Sequence, residues 1–292
     1  MSKQNKKLNI IITCSFQNDF IESLDDLKQS NDKLKMDYLK SQEMWIKYFN
    51  DKDVDTSQAT VEQFISWLKE STESQDDDII LSYHKILEKY KHRVHIDYDE
   101  SKRLWQGGNL KKFLKDLMVK GSKALNDDNS PEEYQCIHLR DWHDQTDILQ
   151  KGELDNFGLH CMKGTYGAKF ISPLDELIKK HHEFNIIINS NSLSSFAETE
   201  LESVLNTIIN NSGSSKNEVN IGIFGVITNV KIFLLAFELM VIHNFRNVSV
   251  CGDFCAGFTN QGHFEGINSM ANILVANVAN HDEFRKIFNI KK

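Results

Sequence analysis

The chain has 292 residues, with 34 Lys+Arg against 42 Asp+Glu for a net charge of −8, and it is 40% hydrophobic and 26% charged. This ordinary globular balance excludes collagen-like, mucin-like and wholly disordered chains. At roughly 100–200 residues per domain, the length holds one large domain or one domain with an extension.

No stretch approaches the ~20 apolar residues of a membrane-spanning helix, and the apolar run at 8–13 is too short for a secretory signal. The expectation is a cytoplasmic protein without a membrane partner. Basic residues are interspersed with acids, so no clustered surface for phosphate neutralisation is expected, and nucleic acid is not an expected partner. Five cysteines, Cys14, Cys136, Cys161, Cys251 and Cys255, are an odd number in a long chain. They read as reduced, buried thiols rather than a disulfide framework.

In chain order, the first element is a continuous apolar, β-branched run at 8–14, the pattern of a strand buried on both faces. Further strands are expected at 134–139, 184–189, 219–226 and 247–251, with a weaker one at 274–279. Helical patterns at 174–183, 199–209, 231–244, 263–273 and 282–288 alternate with them. Strand–helix–strand alternation predicts parallel pairing and a three-layer α/β/α, Rossmann-like sheet. Ligands bind such sheets beyond the carboxyl ends of the strands, which directs attention to 15–20, 140–144, 189–196, 226–231 and 251–255.

Residues 21–132 break the alternation. They are charge-rich and helical in pattern, at 24–49, 61–70, 78–91 and 110–125, with Trp45, Phe49, Phe64, Trp67, Tyr83 and Tyr90 recurring at helical spacings. They read as a large helical insertion after the first strand, its aromatics forming a small helical core, packing against the sheet, or making a surface for a protein partner. The division is then 1–20 and 133–292 for the sheet domain and 21–132 for the insertion.

Several strand ends carry recognisable motifs: Ser15 to Phe20 after the first strand, Arg140 to His143 after the second, the 159–168 loop, Ser194 to Phe196 followed by Thr199 to Leu201, and Gly225 to Asn229 after the fourth. In this order the set resembles the isochorismatase-like cysteine hydrolases, the superfamily that includes nicotinamidases. The resemblance covers about 180 of the 292 residues.

What the resemblance implies is an Asp, Lys and Cys triad, and all three positions are substituted: Ser15, Ser190 and Lys231 stand there. A thiolate nucleophile needs a lowered pKa and a base, and a serine at 15 supplies no base. Cys14 cannot stand in, because adjacent strand residues point to opposite faces. Lys231 has three readings: an amine nucleophile, a cation for an anionic ligand together with Asn229 and Asp19, or a structural charge bonded to Ser15, Ser190 or Asp19. The amides at 229–231 would correspond to the family's oxyanion hole, and the resemblance suggests a cis peptide near Val226-Ile227. The Gln17-Asn18-Asp19 stretch is expected to hold its loop by side-chain to backbone hydrogen bonds.

The resemblance also places a divalent metal, as in nicotinamidase-like members, at Asp141, His143 and His160. Such a donor set suits Zn, Fe or Mn; the alternative is that the three hydrogen-bond the loop and Trp142 packs. His138 is expected to be packed, and Asp144 and Asp147 to cap loops. Three functional readings follow. The first is a pseudoenzyme that binds a small anionic or amide ligand or acts as a scaffold. The second is a metal-dependent hydrolase of an amide-like C–N bond. The third is a structural subunit docking through 21–132. Self-association, as a homo-oligomer or within a complex, is implied by the resemblance.

Overall fold

The 8–14 run forms β1 (Lys7–Cys14), buried along seven of its eight residues. Parallel strands flank it on both sides: β2 (Glu132–Asp141) in register from Lys7↔Glu132 to Cys14↔Leu139, and β4 (Asn220–Gly225) from Asn9↔Asn220 to Cys14↔Gly225. With β3 (Asn185–Ser190), β5 (Asn247–Cys251) and β6 (Asn277–Ala279), the six-stranded sheet has the order β3-β2-β1-β4-β5-β6. The computed structural model describes residues 6–21, 95–144, 146–165 and 167–290.

The order runs outward from β1 in one direction and then restarts beside it. Right-handed crossovers then place helices on opposite faces in the two halves, giving the three layers expected. The reversal lies between β1 and β4, and at its carboxyl side Cys14, Leu139 and Gly225 lie level in register. Ser15, Asp141 and the chain after Gly225 therefore emerge side by side.

The crossover from β1 to β2 ends in two helices, α1 (Tyr98–Trp105) and α2 (Asn109–Leu125). Helix α2 buries Leu110, Phe113, Leu114, Leu117, Met118, Gly121 and Ala124, a three- and four-residue spacing that forms one apolar stripe. Full burial of a side chain such as Phe113 contributes roughly 1.5–3 kcal/mol. The Phe113 ring meets Phe224 of β4 at 5.6 Å and, at the same separation, Phe284 of α8 (His281–Ile287).

The apolar stripe of α2, within the 21–132 segment, therefore packs against the sheet. A parallel pair needs a crossover of a dozen or more residues, and α2 supplies it. The other helical patterns and aromatics of that segment, at 24–49, 61–70 and 78–91, lie outside the described residues.

Helices α4 (Leu174–Lys180), α5 (Leu201–Ser212) and α7 (Asn260–Asn272) fall near their expected places, whereas the short α3 (Lys151–Phe157) has no counterpart in the sequence reading. Between β4 and β5, α6 (Phe233–Phe237) is flanked by two wider, π-wound turns, Thr228–Ile232 and Glu238–Ile242. Lys231 lies in the first of these turns. No helix among the described residues is long and apolar enough to cross a membrane.

Candidate functional site

The site is built on Asp141, the last residue of β2, which is 1% exposed. Gln17 fixes its backbone, donating from Nε2 to the Asp141 carbonyl and accepting from the Asp141 amide at Oε1, both at 2.7 Å. Gln17 Nε2 also donates to the Ala168 carbonyl at 3.0 Å, tying the 159–168 loop to the same point. This is the loop-holding role expected for the Gln17-Asn18-Asp19 stretch. Asp19 completes it by accepting the Cys161 amide at Oδ2, 2.7 Å away.

A short parallel bridge, His143↔Met162, lays the two loops side by side. Two hydrogen bonds, from the His143 amide to the Cys161 carbonyl at 3.0 Å and from the Lys163 amide to the His143 carbonyl at 2.8 Å, set its register. Ser15 (φ 54°) and Cys161 (φ 44°) both adopt left-handed backbone at the edge of the site. Such conformations in side-chain-bearing residues persist where the surroundings over-determine them.

Two imidazoles face Asp141. His160 Nε2 lies 3.6 Å and His143 Nε2 3.8 Å from Asp141 Oδ2. Each ring is oriented from behind. His160 Nδ1 faces the Gly158 carbonyl at 2.8 Å, and His143 Nδ1 faces Gln150 Oε1 at 3.1 Å. The Gln150 amide is itself oriented, because its Nε2 donates to Asp147 Oδ2 at 2.7 Å and its Oε1 accepts the Asp144 amide at 2.9 Å. Carbonyl oxygens only accept, so each ring carries a proton at Nδ1, and Nε2 is the nitrogen turned to the centre.

Glu153 of α3 is the fourth donor. Its Oε1 stands 3.9 Å from His160 Nε2 and 4.0 Å from His143 Nε2. The donor atoms of Asp141, His143, Glu153 and His160 all lie within 4.8 Å of one another. His143 Nε2 and Glu153 Oε2 are buried without a hydrogen-bond partner. The three metal-type residues expected from the sequence are thus brought together. Glu153 was missed because the interval between His143 and His160 holds four acids, Asp144, Asp147, Glu153 and Asp155. Only the short helix α3 turns Glu153 inward. Asp144 and Asp147 cap loops as expected, accepting the amides of Thr146 and Leu149 at 3.0 Å.

The same centre receives Lys231. Its Nζ donates to Asp141 Oδ2 at 2.6 Å and lies 3.3 Å from Glu153 Oε1, and the residue is 4% exposed. Burial works against the charged amine, but the carboxylates of Asp141 and Glu153 more than offset it and raise its pKa above the ordinary lysine value. Burial likewise works against the Asp141 carboxylate, which the Lys231 ammonium holds well below the usual range.

These contacts correct the partners expected for Lys231. Ser15 Oγ instead donates to Asp141 Oδ1 at 3.2 Å. Ser190 Oγ faces the carbonyls of Ser192 and Ser194 at 3.2 and 3.3 Å. Lys231 faces carboxylates, Asp19 accepts the Cys161 amide, and Asn229 is exposed with its side chain beside Gly262. The backbone of Thr228 and Asn229 is covered by α7, where a Cβ on Gly266 would lie 2.7 Å from the Asn229 nitrogen. The Val226–Ile227 peptide is cis, as the resemblance suggested. Gly225 (φ 143°) lets β4 approach β1 there, since a Cβ would meet the Cys14 carbonyl oxygen at 2.1 Å.

All five cysteines are buried. Burial pushes the Cys14 thiol up to about 11 and Cys255 up to about 12, the opposite of an activated nucleophile. His138 is packed as expected, and Trp142 lies 4.0 Å under the Arg140 guanidinium.

No family model and no curated protein sequence matches the chain. Its structure is similar to a nicotinamidase/pyrazinamidase from Bacillus subtilis, with 13% identity, 93% of this chain and 98% of that one covered, and a TM-score of 0.53. It is similar also to an isochorismatase-like hydrolase from Alkaliphilus metalliredigens (14%, 96% and 98%, TM-score 0.50). A third similar structure is a pyrazinamidase of Pyrococcus horikoshii in complex with zinc (13%, 93% and 98%, TM-score 0.50). The six-stranded parallel sheet, its order and these likenesses together identify the fold of this chain as that of the isochorismatase-like hydrolases.

Proposed function

We propose that this protein is a non-catalytic representative of the isochorismatase-like fold, acting as a binding or scaffold protein. The observation that carries the reading is the engagement of Lys231 by Asp141 at 2.6 Å and Glu153 at 3.3 Å. An amine held as an ammonium by two carboxylates has no lone pair with which to attack a carbonyl. It is also poorly placed to attract an anion, because its charge is already matched. The hydroxyls of Ser15 and Ser190 are directed to Asp141 and to backbone carbonyls, and the nearby Cys14 thiol is raised rather than activated. The chemistry that a thiol hydrolase needs is therefore unsupported at each of the three substituted positions.

A second reading, metal-assisted hydrolysis of an amide-like C–N bond, is favoured by one observation, the cluster of Asp141, His143, Glu153 and His160. These residues would hold a divalent ion, which in such sites supplies an activated water and Lewis acidity. The zinc named for the pyrazinamidase of Pyrococcus horikoshii lends this reading its chemical precedent.

The deciding experiment is ammonia release from nicotinamide and pyrazinamide by the purified full-length protein, with and without added Zn²⁺ or Mn²⁺. The expected outcome is no release above that of a His160→Ala variant. Turnover that needs the metal and disappears in His160→Ala would overturn the first reading in favour of the second.

A further inference from the structure

Lys231 and the four metal-type donors converge on a single place. We infer that this protein carries its own cation: the Lys231 ammonium is the resident cation of the Asp141/His143/Glu153/His160 cluster and excludes a divalent metal, so shortening Lys231 creates a transition-metal site. The inference concerns the site discussed above but does not rest on the absence of catalysis.

The donor set has the character of a metal centre. Both imidazoles are held from behind at Nδ1 and present Nε2, the arrangement by which outer hydrogen bonds orient metal-binding histidines. His143 Nε2 and Glu153 Oε2 have no hydrogen-bond partner although buried, and folded proteins rarely leave such atoms unsatisfied without a purpose. The imidazole-to-carboxylate separations of 3.6, 3.8, 3.9 and 4.0 Å are close to the edge of a zinc tetrahedron. That edge is about 3.4 Å for bonds of about 2.1 Å. The remaining two separations lie within 4.8 Å, so side-chain movement of up to about 1.4 Å would close the set on an ion.

What prevents this is the ammonium. Asp141 Oδ2, the oxygen faced by both imidazoles, is the one to which Lys231 donates at 2.6 Å. A metal bound to that oxygen would share it with a buried ammonium, and two cations so close in a site shielded from water repel strongly. The charge count agrees. Two carboxylates balance one divalent ion, and the lysine supplies half of that charge from within the chain. Its length is what matters, because the aliphatic stem carries the charge from the helical turn at Thr228–Ile232 to Asp141 and Glu153.

The test uses full-length wild type, Lys231→Ala, His160→Ala and the Lys231→Ala/His160→Ala double variant, each stripped with chelator and titrated with Zn²⁺ alone. Bound metal per chain and Tm are the readouts. Wild type should take up no more Zn²⁺ than His160→Ala and show no Tm shift. Lys231→Ala should bind one Zn²⁺ per chain and gain about 5 °C or more at saturation, and the double variant should lose both effects. If Lys231→Ala does not fold after stripping, refolding from denaturant with and without Zn²⁺ replaces the titration, and recovery only with Zn²⁺ is expected. One His160-dependent Zn²⁺ per wild-type chain would overturn the inference. So would a Lys231→Ala protein that neither binds Zn²⁺ nor is recovered by it. A metal-free wild type that nevertheless releases ammonia would overturn the functional reading and leave this one standing.

Discussion

Gln17 holds Asp141 by both of its backbone polar groups, with the two hydrogen bonds at 2.7 Å, as a neighbouring strand would. Strand β1 has ended at Cys14 while β2 runs on to Asp141, so a side-chain amide continues the ladder that the backbone has left. Gln17→Ala should leave a buried amide and two buried carbonyls without partners and cost about 2–4 kcal/mol. Ser15→Ala, which removes a single bond to Asp141, should cost about 1 kcal/mol. Urea denaturation of both variants checks this, and equal losses would contradict the ladder role.

Acid sensitivity should come partly from His138. Its Nδ1 accepts from the Thr13 hydroxyl at 2.7 Å, and its Nε2 meets Asn185 Oδ1 at 2.7 Å, so the neutral ring is satisfied at both nitrogens. Burial pushes its pKa down to about 4, against about 6.5 in the unfolded chain. The unfolded state therefore binds the proton first. Stability is complete above about pH 6.5 and falls as pH drops towards 4, by on the order of 3 kcal/mol. His138→Gln should flatten this part of the stability–pH profile, whatever its effect at pH 7. An unchanged slope would remove His138 as the cause.

The thiols should be inert in the folded protein. With five buried cysteines and with Cys14 and Cys255 pushed up to about 11 and about 12, a thiol reagent at pH 7.5 should react only as fast as the chain opens. Five thiols should titrate in denaturant. Rapid labelling of even one in native conditions would contradict the burial described.

Close contact between α7 and the turn carrying Lys231 depends on Gly266. A Cβ there would lie 2.7 Å from the Asn229 nitrogen and 2.9 Å from the Thr228 carbonyl carbon. Gly266→Ala should cost about 1–3 kcal/mol through overpacking. Gly152→Ala on α3, where nothing lies within 4 Å of the added carbon, should be neutral or stabilising by up to about 1 kcal/mol. Thermal unfolding of the pair separates a steric effect from simple helix propensity.

The sheet was legible because β1 is a continuous, largely β-branched apolar run at 8–14 and a later helix such as α5 repeats its buried positions, Leu201, Leu205 and Ile209, every four residues. Helix α2 was legible as a helix, with packing against the sheet left as one of its alternatives. Its apolar stripe does not say which surface it covers, and only the meeting of Phe113 with Phe224 and Phe284 assigns it to the sheet. Asp141, His143 and His160 could be grouped from the spacing that the family resemblance supplied. Glu153 and Gln150 could not, since they reach the centre through the turn of α3 and the loop before it.

By itself the sequence determined the α/β alternation, the strand ends at which chemistry would lie, and the side chains at 15, 190 and 231. These follow from local periodicity and residue identity, which need no long-range contact. Tertiary structure alone decided what Lys231 touches. The register of β1 with β2 and β4 brings residues 90 positions apart to 2.6 Å. In a site so shielded from water, a flexible charged chain goes to the strongest opposite charge within its reach, here Asp141 and Glu153.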